Sequence, residues 1–206
     1  MYANGGKRVL DVCLSLLALL VLWPLILLAA LIGALVLREN PFFLQLRPGR
    51  IDPKTGQERL FYVIKLRSMR DVRGADGALL PDGERTPRYG AMLRKTGVDE
   101  LPQLWNILCG QMSFVGPRPL LPEYLSLYTP QQRLRHTVRP GLTGLAQICG
   151  GVALSLEEKT ALDVQYVSQI TLRGDLMIMA RTLGVLARRL RRQEKRGASE
   201  RDGAQR

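Results

Sequence analysis

The sequence predicts an α+β protein whose first helix is embedded in a membrane, and three observations carry that prediction. Residues 12–37 form an apolar run of 26 residues without a formal charge. Two short stretches of aromatic and branched residues follow, Phe42 to Leu46 and Leu60 to Leu66, and read as the strands of a β-hairpin. The remainder alternates Pro/Gly-rich turns with helical periodicity. The full expectation is an N-terminal re-entrant membrane helix hairpin broken at Pro24. A small cytoplasmic domain then carries the β-hairpin and several helices, some of them amphipathic and interfacial. The boundaries fall at 1–38 for the membrane segment, 39–186 for the cytoplasmic domain and 187–206 for a basic, disordered tail.

The membrane reading follows from lengths. A straight helix over the run reaches roughly 39 Å, against a hydrocarbon core of about 30 Å. The apolar core of a cleaved signal peptide is shorter, about 7 to 15 residues. Pro24 lies near the middle, where it removes an amide donor and crowds the carbonyl of Leu20. A break there leaves two halves of about 18 to 21 Å, neither of which spans alone. Basic residues flank both ends, Lys7 and Arg8 before and Arg38, Arg47 and Arg50 after, which draws both to one face. Trp23 beside the break suits a shallow interfacial loop. A kinked spanning helix is the alternative, since proline does occur in spanning helices.

The formal net charge of +12 points to an anionic partner: nucleic acid, lipid or a phosphorylated small molecule. Residues 181–206 hold nine Arg/Lys against three Asp/Glu, so half of that excess belongs to the final stretch. Cys13, Cys109 and Cys149 lack metal-ligand spacing and read as small buried apolar residues of a reducing compartment. His136 stands alone, which argues against a metal site or triad built on it.

Residues 71–90 read as a long loop. The segment GVDELPQLWN at 97–106 then sets Asp99 and Glu100 side by side before a proline, at what reads as a helix start. Acidic residues and proline suit a first helical turn, and Thr96 three residues before Asp99 resembles a cap, so a capping role is one reading. In VGPRPLLPEY three prolines enforce an extended, turning backbone that fixes Arg118. RPGLTG at 139–144 reads as a tight turn, and Ser155 with Glu158 as a capping box opening a helix through about Ser168. Leu172, Leu176, Met179, Leu183, Leu186 and Leu190 recur at helical spacing with arginines between them, which suits a helix lying on an anionic lipid surface or packed on its own domain.

Read together, these motifs resemble the bacterial sugar transferase family, the small monotopic phosphoglycosyl transferases. The likeness runs through GGKRVLD, KLRSM, LRKTGVDELPQLWN, SFVGPRP and RPGLTGLAQ to the Asp163 and Tyr166 pair in LDVQYV, nearly the whole chain. The resemblance implies transfer of a sugar 1-phosphate from a UDP-sugar to a polyprenyl (undecaprenyl) phosphate, with release of UMP, at the start of polysaccharide or glycoconjugate assembly. It implies Asp99 as the nucleophile that forms an aspartyl-phosphosugar, and Glu100 with Asp99 as holders of magnesium (Mg2+). Asp163, Tyr166 and Arg139 become supporting candidates, and Trp23 with Pro24 the hairpin break. The family commonly has serine where Trp23 stands and an acid where Gln111 stands. The implied location is the bacterial inner membrane, with the catalytic domain on the cytoplasmic face.

That chemistry makes a physical demand. A carboxylate approaching a diphosphate is repelled by about 4 kcal/mol per pair of unit charges at 4 Å and an effective dielectric near 20. Fixed cations must offset it, and Arg118, Arg94, Lys65 and Arg67 are the candidates. Expected partners are therefore the UDP-sugar, the polyprenyl phosphate and membrane lipid, with no nucleic acid and a homodimer left open. The competing reading is a membrane-anchored, non-catalytic scaffold or anion-binding protein in which the carboxylates are helix caps.

Overall fold

The computed structural model describes the backbone of residues 2–204, with side chains described over that span except at Asn4 and from 189 onward. After a π-helical turn at Tyr2–Gly6, helix α1 runs Lys7–Leu37. The sequence predicts a break at Pro24, but the helix is continuous through that residue. Proline removes one amide donor, while the other amides of this apolar segment can find partners only within the helix.

Helix α1 is fastened to the rest of the chain along its length. Near its start Arg8 donates to the carbonyls of Ile107 and Leu108 at 2.6 and 2.7 Å, and buried Asp11 accepts from Ser113 Oγ and the Phe114 amide, both at 3.0 Å. In the middle, Ala18, Leu19 and Leu22 pack on the core formed by Phe61, Val63, Leu104, Ile107 and Met112. Toward its end Ala29 and Ala30 pack with Leu66 and Leu93, the Tyr89 hydroxyl donates to the Ala29 carbonyl, and Arg70 donates to the Val36 carbonyl at 2.8 Å. The opposite face, including Leu17, Leu20, Val21, Trp23, Leu27, Leu28, Leu31 and Leu35, is apolar and exposed.

The predicted hairpin forms and is longer than its sequence pattern. Strands β1 (Phe42–Ile51) and β2 (Glu58–Leu66) pair antiparallel, with Phe43 opposite Lys65 and a register shift between Pro48 and Ile51. Alternation buries Phe61 and Val63 and leaves Leu60 and Tyr62 exposed. Each large apolar side chain so buried contributes about 1.5–3 kcal/mol. The 71–90 loop is mostly irregular but contains α2 (Asp82–Arg85) and the start of α3 (Arg88–Thr96). Then come α4 (Gln103–Leu108), β3 (Ser113–Val115), α5 (Pro130–Arg133) and β4 (Gly141–Thr143). RPGLTG is thus more than a turn: β4 pairs in parallel with β3, a ladder too short to leave an alternating pattern.

The last elements are α6 (Leu145–Cys149), α7 (Leu156–Ser168) and α8 (Leu172–Ala204). The capping box of α7 is present as predicted, Ser155 with Glu158, and an unpredicted one, Thr129 with Gln132, opens α5. Helix α8 buries Ile178 and Asp175, while Leu172, Leu176 and Leu183 stay exposed. Asp175 binds Lys7 at 2.5 Å, Tyr2 at 2.6 Å and Tyr166 at 2.8 Å, which ties α8 to the start of α1. The α8 backbone stays helical to Ala204, past the boundary at 187 where the sequence reading begins a disordered tail; Arg, Lys, Glu and Ala there are good helix formers. The side chains of most of that stretch lie outside the described residues. The three cysteines are unpaired and exposed rather than buried, since Cys13 faces outward from α1 and the other two end short helices.

Candidate active site

The two adjacent carboxylates do not cap a helix. Gly97 ends α3 in the left-handed region at φ 73°, which suits a residue without a Cβ, and turns the chain into a 3-10 turn at Val98–Glu100. Helix α4 starts later, behind Pro102, with no side-chain cap. The Thr96 hydroxyl bonds back to the carbonyls of Met92 and Leu93 at 3.0 and 3.1 Å, so it caps nothing ahead of it. Asp99 and Glu100 are held on a tight turn between two helices, and helix termination does not account for them.

Their surroundings divide them. Glu100 Oε1 accepts from Arg118 Nη2 at 2.6 Å and faces Lys65 Nζ at 3.4 Å. Burial pushes its carboxyl up, but the two cations outweigh burial and hold it below the usual carboxylate range. Asp99 is pushed up to about 6, first by burial and then by the charge of Glu100, with Lys65 opposing. Lys65 is itself lowered by burial despite its acidic neighbours. One carboxylate is thus locked between cations, and the other is raised beside it.

Arg118 is positioned by backbone crowding. A Cβ at Gly116 would lie 2.6 Å from the Arg139 carbonyl oxygen, so only glycine lets the strands come this close. The Gly116 amide donates to Thr143 O and the Gly141 amide to Pro117 O, both at 2.9 Å. Prolines on either side then fix the arginine at the edge of a cleft of about 900 Å³.

That cleft brings together most of the predicted site: Asp99, Glu100, Lys65, Arg67, Arg94, Arg118 and Asp163 all line it. Arg67 is held by Glu39 at 3.0 Å and by the Asn40 carbonyl at 2.9 Å, Arg94 by Ser68 Oγ at 2.9 Å. Asp163 accepts two bonds from buried Arg135, at 2.6 and 3.0 Å, and burial leaves its carboxyl raised despite that cation. Other predicted residues lie elsewhere. Tyr166 is buried, its single hydroxyl proton shared between Asp175 Oδ1 at 2.8 Å and the Val115 carbonyl at 3.1 Å. Arg139 donates to the Gly110 carbonyl at 2.8 Å, and Trp23 and Pro24 are on exposed α1. Sequence reasoning missed Arg135, Gln147, Lys159, Asp82 and Arg85, which also line the cleft. Gln147, inside RPGLTGLAQ, was within reach of the motif.

Among the described residues no cluster of three or more His, Cys, Asp or Glu could by itself enclose a metal. The donor set still fits magnesium, which takes one or two carboxylates and completes its shell with water and substrate phosphates. Asp99 and Glu100 are such a pair.

Comparison with known proteins places the sequence in a family. The family model for the bacterial sugar transferases matches residues 2–189, and the chain belongs to that family. It is 42% identical over 177 residues to a protein of Bacillus subtilis (strain 168) named as the uncharacterized sugar transferase EpsL, covering 86% of this chain and 85% of the relative. A UDP-glucose:undecaprenyl-phosphate glucose-1-phosphate transferase of Caulobacter vibrioides is 40% identical over 187 residues, 86% of this chain and 68% of the relative. A UDP-N-acetylgalactosamine-undecaprenyl-phosphate N-acetylgalactosaminephosphotransferase of Aeromonas hydrophila is 34% identical over 185 residues, 86% of this chain and 42% of the relative.

Proposed function

We propose that this chain moves a sugar 1-phosphate from a UDP-sugar to undecaprenyl phosphate, releasing UMP and initiating polysaccharide or glycoconjugate synthesis. The observation that carries the proposal is the asymmetry of the pair: Glu100 fixed by Arg118 and Lys65, Asp99 adjacent and raised to about 6. The names of the relatives from Caulobacter vibrioides and Aeromonas hydrophila support the reaction class.

Near pH 7 Asp99 is mostly ionised yet poorly solvated, which suits a nucleophile. Its carboxylate oxygen forms a bond to the sugar-bearing phosphorus while the bond from that phosphorus to the bridging oxygen breaks, and the electron pair leaves with UMP. An oxygen of the acceptor's phosphate then bonds to the same phosphorus and the aspartyl oxygen departs, regenerating Asp99 and giving a polyprenyl diphosphate sugar. Arg118 and Lys65 offset the repulsion between carboxylate and diphosphate, with Arg67 and Arg94 around the mouth. Asp99 and Glu100 would hold magnesium together with phosphate oxygens, and the ion when bound neutralises charge on the transferring group.

The lipid acceptor requires an enzyme seated at a membrane surface. Helix α1 is apolar enough to enter a bilayer, yet its start, middle and end are all fastened to the domain that carries the cleft. This supports embedding from one side, with the exposed leucine face of α1 in lipid and Leu172, Leu176 and Leu183 of α8 at the interface. The domain then sits on the cytoplasmic face of the bacterial inner membrane. The test is UMP release by the detergent-solubilised chain with magnesium, undecaprenyl phosphate and a panel of UDP-sugars. Release with at least one donor is expected; release with none of a broad panel overturns the proposal.

A further inference from the structure

The chemistry above leaves part of the cleft unused. Both amide atoms of Gln147, Nε2 and Oε1, are buried without a hydrogen-bond partner, and so is Asp163 Oδ1. Native proteins keep few such atoms because each is destabilising. Among the described residues one other atom, His136 Nε2, shares this condition, so these orphans are concentrated at residues lining one cleft.

The two residues are held in place by everything except a partner for those atoms. Asp163 gives its other oxygen to Arg135, which also donates to Tyr128 Oη at 2.9 Å and to the Arg118 carbonyl at 2.7 Å. Gln147 lies on α6 so close to Gly144 that a Cβ there would be 2.8 Å from its Oε1, and the same Cβ would collide with the Gly116 carbonyl. Both residues are therefore braced against the turn that presents Arg118.

Their chemistry selects a ligand. Nε2 donates, while Oε1 and Asp163 Oδ1 accept. Phosphate oxygens can only accept, and the Asp163–Arg135 pair offers them no net positive charge. The matching group is neutral and carries both donors and acceptors, as ring hydroxyls and an imide do. We propose that Gln147 and Asp163 form the subsite that reads the neutral part of the nucleotide-sugar donor while Lys65 and Arg118 hold its diphosphate. This rests on the donor reading above. Two parts of that donor share the chemistry, the sugar ring and the uridine.

Equilibrium binding separates them. UDP-sugar, UMP and the sugar 1-phosphate are titrated calorimetrically into the Asp99→Asn chain, which cannot turn over, and into the same chain carrying Gln147→Met, with Gln147→Leu as a second apolar replacement. The subsite predicts about tenfold weaker binding of the UDP-sugar to the Gln147 variants, as expected for one or two lost hydrogen bonds. The same weakening should appear with sugar 1-phosphate if the ring is read, or with UMP if the base is read, and either supports the subsite. The melting temperature should hold or rise, because orphaned atoms have been removed. Unchanged affinity for all three ligands overturns the subsite, as does weakening that tracks a lowered melting temperature in both variants. If the Asp99→Asn chain binds no UDP-sugar, the donor reading fails and the subsite with it, an outcome distinct from normal binding that ignores Gln147.

Discussion

Two carboxylate–guanidinium pairs of equal length, 2.6 Å, line the cleft, and their surroundings shift the two acids in opposite directions. Glu100 is lowered and Asp163 is raised, although burial is the largest influence on both. The difference lies in the company each keeps. Glu100 faces Arg118 and Lys65, and its Arg118 side chain is 44% exposed. Among the described residues Asp163 has Arg135 alone, both side chains nearly inaccessible, and one oxygen without a partner. A single buried ion pair does not repay desolvation, whereas two cations at a partly open edge do. The Glu100 pair is built to meet more charge, and the Asp163 pair to hold its shape beside a neutral group.

Cutting each pair tests that contrast. Arg135→Ala strands a buried carboxylate and should lower the unfolding free energy by about 3–5 kcal/mol in chemical denaturation; a loss below about 1 kcal/mol would make the two pairs alike. Arg118→Ala should cost about 1 kcal/mol or less in stability, being partly exposed. It should instead lower kcat/KM by about 10²–10³, as removal of a preorganised donor to transition-state charge does. Equal effects on folding and catalysis from both substitutions would erase the distinction.

Asp99 sharpens it further. A carboxyl raised from 3.8 to about 6 binds its proton more tightly in the folded chain, so the folded state is favoured at low pH and loses that advantage as pH rises from about 4 through about 6. Asp99→Asn should therefore stabilise the protein by about 3 kcal/mol at pH 8 and by only about 0.5 kcal/mol at pH 4. Transferase activity of the unaltered chain should fall about tenfold per pH unit below about 6, as the nucleophile is protonated.

The legibility of these residues in the sequence depends on whether their role is local. Asp99, Glu100 and Arg118 sit in motifs whose neighbours, Gly97, Pro117 and Pro119, shape the backbone directly. The hairpin and the Ser155 capping box are local in the same sense. Arg135 belongs to no motif that marks it in the sequence, yet it is 2% exposed because Asp163, 28 positions along, draws it inward. Tyr166, a supporting candidate only through the resemblance, is buried and joins Asp175 in fastening α8, which its place in LDVQYV does not announce. The β3–β4 ladder joins two three-residue strands from distant segments, and no periodicity announces that. Continuity of α1 through Pro24 likewise depends on what surrounds the helix.

Covalent attachment of phosphorus to Asp99 can be read by intact-protein mass spectrometry after mixing with UDP-sugar and magnesium, without acceptor lipid. The chain should gain the mass of one sugar phosphate on the peptide containing Asp99, lose it when undecaprenyl phosphate is added, and never gain it as Asp99→Asn. Steady UMP release by the Asp99→Asn protein at the rate of the unaltered chain would contradict the claim.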